Sequence, residues 1–250
     1  MSSPAIIIKE LSLQFNGSDS PLFSNLNLTL NAGQWTCILG PSGCGKTTLL
    51  KLLADLVEDV SKQGTIETFD GKPLQNRIAY MAQQDLLLPW LTVLDNACLS
   101  EKFGHKKAAP SLKESAISLL KQVGLSDAIN KMPQALSGGM RQRVALVRTL
   151  LQNKPVVLMD EPFSALDAVT RYQLQTLSAK MLQGKTVLFI THDPQEALRL
   201  ANNLFMMHSN PIRIQSLPLP KEIPPRMLSA KLAEYQQQII DELEANYASV

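Results

Sequence analysis

Apolar residues in this chain follow two patterns that predict different elements. Mainly apolar runs at residues 35–39, 156–159 and 187–190 are typical of strands that are buried on both faces. Other segments carry apolar residues at helical spacing. These segments are residues 46–53, 112–123, 139–151 and 167–183. Because short strands alternate with longer helices, the pattern predicts an α/β fold with a mainly parallel sheet.

The helical signal is unevenly distributed along the chain. Residues 85–151 have helical patterning and little strand signal, so we interpret them as a helical subdomain inserted into an α/β core. The core then comprises residues 1–84 and 152–208. Residues 209–250 form a C-terminal tail, which is Pro-containing at first and has helical composition over 227–246.

Composition excludes several classes of function. A net charge of +2 over 250 residues, without a block of Lys or Arg, argues against a nucleic-acid partner. The three cysteines lack metal-ligand spacing, which favours a reducing compartment. Apolar runs stay far below the roughly 18 residues that cross a bilayer, and the first ten residues lack the pattern of a secretory signal. Any role at a membrane is therefore expected to depend on a partner.

A phosphate-binding loop is predicted between the first buried strand and the helix that follows. Residues 40–47 match G-x-x-x-x-G-K-[ST], which fits by chance in roughly one chain in a hundred of this length. Glycines let backbone N–H groups turn inward as an anion nest, Lys46 supplies a charge for the β and γ phosphates, and the Thr47 hydroxyl can bind Mg²⁺. The nucleotide-binding residues predicted here are Gly40, Pro41, Ser42, Gly43, Cys44, Gly45, Lys46, Thr47 and Thr48. Cys44 is interpreted as a small spacer within the loop.

An acidic pair follows the strand at 156–159. Asp160 and Glu161 would be costly to bury together without a cation, and a phosphate-bound Mg²⁺ removes that difficulty. Asp160 then suits coordination of the metal, and Glu161 suits polarising the attacking water. The alternative is an ordinary strand end with solvated acids, which the upstream phosphate loop disfavours.

A second phosphate nest is predicted at Leu136-Ser137-Gly138-Gly139-Met140, which opens a helix. Ser137 and the N–H groups of Gly138 and Gly139 lie where a helix N-terminus attracts anions. This segment resembles the signature motif of the ATPase subunits of ABC transporters. Since one nest already serves the nucleotide within a chain, a second one makes sense if it closes over ATP bound to another copy.

Further residues resemble functional positions of that family and occur in the same order along the chain. Gln83 resembles the glutamine that senses Mg²⁺ or the attacking water, and Gln84 is an alternative that the spacing to Pro89-Trp90 disfavours. Asp167 lies in a segment similar to the loop that links the two nucleotide sites. His192 resembles the switch histidine that contacts the γ phosphate. Phe15 lies where the family places an adenine-stacking ring, although Tyr is commoner there and a core role is the alternative.

The resemblance implies a RecA-like P-loop NTPase core with an antiparallel β portion at the N-terminus, forming one ABC domain over about residues 5–220. It implies Mg²⁺-dependent ATP hydrolysis by a head-to-tail homodimer at the cytoplasmic face of the membrane, coupled to a separate permease. The segment Leu87–Val93 is similar to that of the nitrate/sulfonate/taurine importer group, which includes carriers of a thiamine-precursor pyrimidine. A solute-binding protein would then be an indirect partner. The alternatives are an exporter ATPase and a non-transport ABC ATPase.

Overall fold

The computed structural model describes residues 3–102, 110–209 and 212–247. Contacts within the chain group it into two compact units. Unit 1 comprises Met1–Ile78, Pro155–Glu161 and Gln183–Val250, and unit 2 comprises Ala79–Lys154 and Pro162–Leu182. The domain boundaries at 84/85, 151/152 and 208/209 stay a prediction, and residues 1, 2, 103–109, 210, 211 and 248–250 within those ranges lie outside the described part of the chain.

The chain begins with three strands, and strands alternate with helices from residue 156 to residue 208. The strands are β1 (Ile6–Phe15), β2 (Phe23–Leu30), β3 (Trp35–Leu39), β4 (Val60–Thr68), β5 (Ile78–Met81), β6 (Val156–Asp160), β7 (Thr186–Ile190), β8 (Asn203–His208) and β9 (Arg213–Leu217). The helices are α1 (Lys46–Leu53), α2 (Val93–Ala97), α3 (Leu99–Lys102), α4 (Pro110–Gln122), α5 (Gly138–Leu151), α6 (Ala168–Met181), α7 (Pro194–Leu200) and α8 (Ala230–Tyr247).

Parallel strands form the centre of unit 1. Strands β6, β7, β3 and β8 lie side by side in that order and pair in parallel, and β9 pairs with β8 in the antiparallel sense. Every residue of β3, β6 and β7 is buried, which is why these strands consist mainly of apolar residues. The predicted α/β class with a mainly parallel sheet is confirmed. The carboxyl ends of β3, β6 and β7 meet at one edge, where ligands of such sheets bind.

A separate antiparallel sheet in unit 1 has the order β2-β1-β4. On β2 the buried residues Leu26, Leu28 and Leu30 alternate with exposed ones, so one face of the strand packs on the core. This sheet is the antiparallel portion that was expected at the N-terminus.

Unit 2 is mainly helical. Helix α5 packs against α2 and α4, and its buried residues include Val144, Ala145 and Val147. On α4 the buried residues Ala116, Leu119 and Leu120 recur at helical spacing. None of the helices in the described ranges is long and apolar enough to span a membrane.

The C-terminal tail belongs to unit 1. Helix α8 contacts α7, and its buried side chains include Leu232 and Ile239, which lie seven residues apart on the same face. The tail is therefore packed against the α/β core through one apolar stripe.

Candidate active site

The phosphate loop connects β3 to α1 as the sequence predicted. Gly43 and Gly45 adopt φ of 82° and 93°, and a Cβ on Gly45 would lie 2.9 Å from the Phe23 ring. Only glycine is therefore accommodated at residue 45 without strain. Helix α1 has no side chain capping its N-terminus, so the N–H groups of its first turn are available to an anion. The loop fits a nucleotide phosphate.

Lys46 is held inside this loop in the ligand-free chain. Its ammonium group donates to the carbonyl oxygens of Gly40 at 2.8 Å and Pro41 at 2.7 Å, and only 9% of the residue is exposed. Carbonyl oxygens are weaker partners for an ammonium ion than phosphate oxygens. The ammonium group is therefore fixed at the loop that is predicted to bind phosphate.

Thr47 and Asp160 are brought together from distant parts of the sequence. The Thr47 hydroxyl donates to Asp160 Oδ2 at 2.7 Å, which joins the start of α1 to the end of β6. Burial raises the pKa of Asp160, while the Thr47 hydrogen bond and the Lys46 charge act in the opposite direction. A hydroxyl and a buried carboxylate are oxygen ligands that suit Mg²⁺, so the residues present fit the predicted metal.

Glu161 has an unusual backbone conformation beside Asp160. Its φ is 51°, which is rare for a residue with a side chain, and its N–H donates to Ile190 O at 3.0 Å. Burial raises the pKa of its carboxyl group, and the contact with His192 partly offsets that rise. Backbone strain of this kind is often found where a catalytic side chain must be aimed.

His192 lies directly against this carboxylate. Its Nδ1 is 2.8 Å from Glu161 Oε2, while 70% of the His192 side chain is exposed. The residues on either side are tied to the start of α7, because Thr191 Oγ1 donates to Glu196 Oε2 at 2.7 Å and Asp193 Oδ1 accepts from the Gln195 N–H at 2.8 Å. The imidazole is therefore accessible to a ligand although its backbone is fixed.

Phe15 borders a cavity of about 490 Å³ beside the phosphate loop. Gly43 and Cys44 line the same cavity, and Phe15 is 40% exposed, which is unusual for a large apolar side chain. A flat ring that is left exposed beside a phosphate nest can stack on a nucleotide base. The exposure of Phe15 argues against a core role, and its stacking role stays a prediction.

The second nest is built in unit 2. Ser137 caps α5, and its hydroxyl accepts from the Met140 N–H at 3.3 Å, with Gly138 and Gly139 forming the first turn. Asp167 caps α6, and the bond from the Thr170 N–H lowers the pKa of its carboxyl group.

Gln142 links the signature at residues 136–140 to the segment 164–167, a role that the sequence did not indicate. Its side-chain oxygen accepts from the Ala165 N–H at 2.9 Å, and its amide nitrogen donates to the Ser164 hydroxyl at 3.3 Å. Its position one turn beyond the signature was the available signal. Unit 2 therefore presents the signature and the segment 164–167 as one piece.

Gln83 and Gln84 both lie exposed after β5 in unit 2. Unit 1 thus gathers Phe15, the phosphate loop, Asp160, Glu161 and His192, whereas unit 2 holds Gln83, Ser137, Gly138, Gly139 and Asp167. The individual roles of these residues stay predictions.

The fold and these residues define a P-loop nucleotide hydrolase of the α/β class. Residues 23–164 match the sequence profile described as ABC transporter. The chain is 45% identical over 241 residues to an uncharacterized ABC transporter ATP-binding protein of Haemophilus influenzae, covering 94% of this chain and 97% of the relative. It is 39% identical to an aliphatic sulfonates import ATP-binding protein of Rhodococcus jostii, covering 90% and 88%.

Among solved structures, the chain resembles the dimeric post-hydrolysis state of an ATP-binding cassette bound to ADP and Pi. The TM-score is 0.73 at 28% identity, and the match covers 89% of this chain and all of the other. The chain therefore belongs to the ABC transporter family, and it is an ATP-binding ATPase of that family.

Proposed function

We propose that this ATPase drives import of a small organic sulfonate or a related solute through a separate membrane permease. ATP hydrolysis is supported by one cluster of residues, in which Thr47 contacts Asp160 and Glu161 contacts His192. The likeness to a sulfonate import protein supports the transport part. Taurine is itself an organic sulfonate, and nitrate and a pyrimidine thiamine precursor are the other cargoes of the group that the sequence resembles.

Each residue of the proposed site has its own role in binding or hydrolysis. The loop glycines and Lys46 bind the phosphates, and the exposed face of Phe15 stacks on adenine. Thr47 and Asp160, with Gln83, would hold Mg²⁺, which supplies charge neutralisation on the phosphate oxygens. Glu161 accepts a hydrogen bond from the attacking water, and His192 orients Glu161 and contacts the γ phosphate.

Two copies of the chain are proposed to share each nucleotide in a head-to-tail dimer. Ser137, Gly138 and Gly139 of one copy would close over ATP held by the phosphate loop of the other, and Asp167 would lie at the junction. Support comes from the two glycines in the first turn of α5, where a helix N-terminus attracts anions, and from the dimeric structure to which the fold is similar. ATP then favours the closed pair, and its hydrolysis reopens it.

The loop at Gln83–Trp90 is the proposed contact for the permease at the cytoplasmic face of the membrane. Leu86 and Trp90 are 58% and 68% exposed, and large apolar side chains left exposed together favour a protein partner. The loop is also stiff, because the Asn96 amide donates to Leu88 O and Leu91 O at 3.1 and 3.0 Å. A solute-binding protein would deliver cargo on the far side of the permease.

The general-base assignment is tested with Glu161→Gln. This variant keeps the side-chain shape but not the charge, so we expect ATP binding within about threefold of normal and hydrolysis reduced at least about 100-fold. Without turnover, ATP should trap the dimer, which size-exclusion chromatography would detect. The matched control is Glu58→Gln at an exposed position, which should hydrolyse normally. Near-normal turnover by Glu161→Gln would rule out this role.

The cargo is tested with the complete transporter in lipid vesicles. Taurine, an alkanesulfonate and nitrate are each added with the purified solute-binding protein, and stimulation of ATP hydrolysis is measured. A sulfonate should stimulate hydrolysis most strongly. Mass spectrometry of the ligand that co-purifies with the solute-binding protein provides an independent identification, and a ligand without a sulfonate group would contradict the proposed cargo.

A further inference from the structure

The C-terminal tail contains a buried arginine for which the proposed chemistry has no use. Arg226 lies between β9 and α8 and is only 6% exposed. Burial lowers the pKa of its guanidinium group, which reflects the cost of removing a cation from water. A side chain of this kind is expected to have a definite structural task.

The partners of Arg226 show what that task is. Its Nη1 donates to Leu198 O at 2.6 Å and Ala201 O at 2.8 Å, and its main-chain N–H donates to Arg199 O at 2.8 Å. These are carbonyl groups at the C-terminus of α7, where a helix leaves its acceptors without internal partners and where a cation is favoured. Arg226 Nη2 also donates to Pro220 O at 3.1 Å, so the tail segment folds around the same group.

Helix α7 connects this anchor to the hydrolytic cluster. The helix has seven residues. Its N-cap is Asp193, which directly follows His192 in the sequence. A helix this short is marginal without tertiary support, so its geometry depends on what holds its two ends. Glu196 and Gln195 in its first turn are bonded to Thr191 and Asp193, which flank His192. A shift of α7 is therefore transmitted to the histidine backbone.

We propose that Arg226 is a positioning residue of the hydrolytic site, which anchors the C-terminus of α7 so that the helix holds His192 against Glu161. Arg226 then contributes to hydrolysis from the C-terminal tail, although it does not touch the nucleotide. This inference rests on the proposed role of His192.

The first test replaces Arg226 with methionine, which keeps most of the side-chain length and removes every donor of the guanidinium. We expect kcat for ATP to fall about tenfold while KM changes less than about twofold, because the nucleotide contacts lie elsewhere. In the ligand-free protein, amide hydrogen exchange measured by mass spectrometry should accelerate at residues 191–200. Unchanged exchange in this segment would overturn the inference.

Arg226→Lys is the second variant, and it serves if the methionine variant does not fold. Lysine keeps the charge and donors but cannot span carbonyl groups on several residues as the planar guanidinium does. Its kcat and exchange rates should fall between those of the wild type and the methionine variant. A lysine variant that is folded and has wild-type kcat and exchange rates would contradict the inference.

Two comparisons distinguish the positioning role of Arg226 from a purely structural role. Ile239→Ala removes a buried side chain of α8 and should lower the melting temperature while leaving kcat within about twofold. If its kcat falls as far as that of Arg226→Met, destabilisation explains the loss and the inference fails. In a His192→Ala background, Arg226→Met should reduce kcat no further, because the group on which it acts is absent. A full additional tenfold loss would overturn the inference.

The same set of variants separates the inference from the proposed function. If His192→Ala alone hydrolyses ATP normally, the proposed role of His192 fails. If His192→Ala is inactive while Arg226→Met keeps wild-type kcat, only the positioning role fails.

Discussion

Asp160 illustrates at the scale of one residue how a binding site is built at the expense of stability. Burial holds the pKa of its carboxyl group above the ordinary value, so the folded state favours the protonated form. The stability linked to that proton is fully present below the pKa of about 3.9 of an unfolded Asp and is lost as pH rises through the raised folded pKa. At neutral pH the ionised Asp160 therefore destabilises the ligand-free chain.

The prediction is that Asp160→Asn stabilises the ligand-free protein while it impairs hydrolysis. Asparagine removes the buried charge and can still accept the Thr47 hydrogen bond, so the melting temperature at pH 7.5 should rise by about 2–4 °C. The gain should shrink toward zero below about pH 4, where the wild-type group is protonated. Differential scanning calorimetry without Mg²⁺ or nucleotide measures the shift.

The control for this variant is Asp19→Asn, at an exposed position in the same unit, which should leave the melting temperature unchanged. A lower melting temperature for Asp160→Asn at neutral pH would contradict the assigned cost of burial. Hydrolysis should fall in Asp160→Asn and persist in the control.

The sequence was informative about residues whose chemistry requires a local motif. The glycines and Lys46 stand within eight residues of each other, and their types follow from what a phosphate needs. Arg226 gave no such signal, because its role depends on carbonyl groups some 25 to 28 residues earlier in the chain. Gln142 lies just beyond the signature segment in the sequence, but its bond to Ala165 required the fold.

At the scale of elements, helix α5 shows how close packing selects a glycine. A Cβ on Gly139 would lie 2.9 Å from the carbonyl oxygen of Ala165, whereas a Cβ on Gly138 would have no neighbour nearer than 4.0 Å. Both glycines occupy the first turn of the helix, so helix propensity favours alanine at either position. The contact with the main chain of residue 165 is the difference between them.

We predict opposite effects for the two alanine substitutions. Gly139→Ala must push the Ala165 main chain away and should destabilise the protein by about 1–3 kcal/mol. Gly138→Ala meets open space and should leave stability unchanged or raise it by up to about 1 kcal/mol. Urea denaturation of both variants measures the difference, and equal midpoints would contradict the packing argument.

The elements differ in how clearly the sequence predicts them. The strands β3, β6 and β7 were predicted because burial on both faces makes most of their residues apolar. Helices α2 and α7 were not predicted, because five and seven residues are too few to establish a helical period. Their starts are fixed by the capping side chains of Thr92 and Asp193, and such caps also occur in turns.

At the scale of the whole molecule, the chain has two segments that are predicted to bind anions, one in each unit. The nest at Gly40–Thr47 belongs to unit 1 with the acidic pair, and the nest at Ser137–Gly139 belongs to unit 2. Each nest is a helix N-terminus, and α1 has no capping side chain, whereas α5 is capped by the Ser137 hydroxyl. The cap is weak at 3.3 Å, so the Ser137 hydroxyl can turn toward a phosphate at little cost.

The proposed sharing of nucleotide between two copies predicts a specific defect in Ser137→Arg. The long cationic side chain would fill the second nest, while the phosphate loop that binds ATP in the monomer is unchanged. ATP affinity of the monomer should stay within about threefold, but ATP-dependent dimerisation in the Glu161→Gln background should be lost. Analytical ultracentrifugation with and without ATP measures both states.

Ser115→Arg, on an exposed site of α4, adds the same charge elsewhere in unit 2 and should dimerise normally. If Ser137→Arg also dimerises normally, the second nest does not close over the partner's ATP.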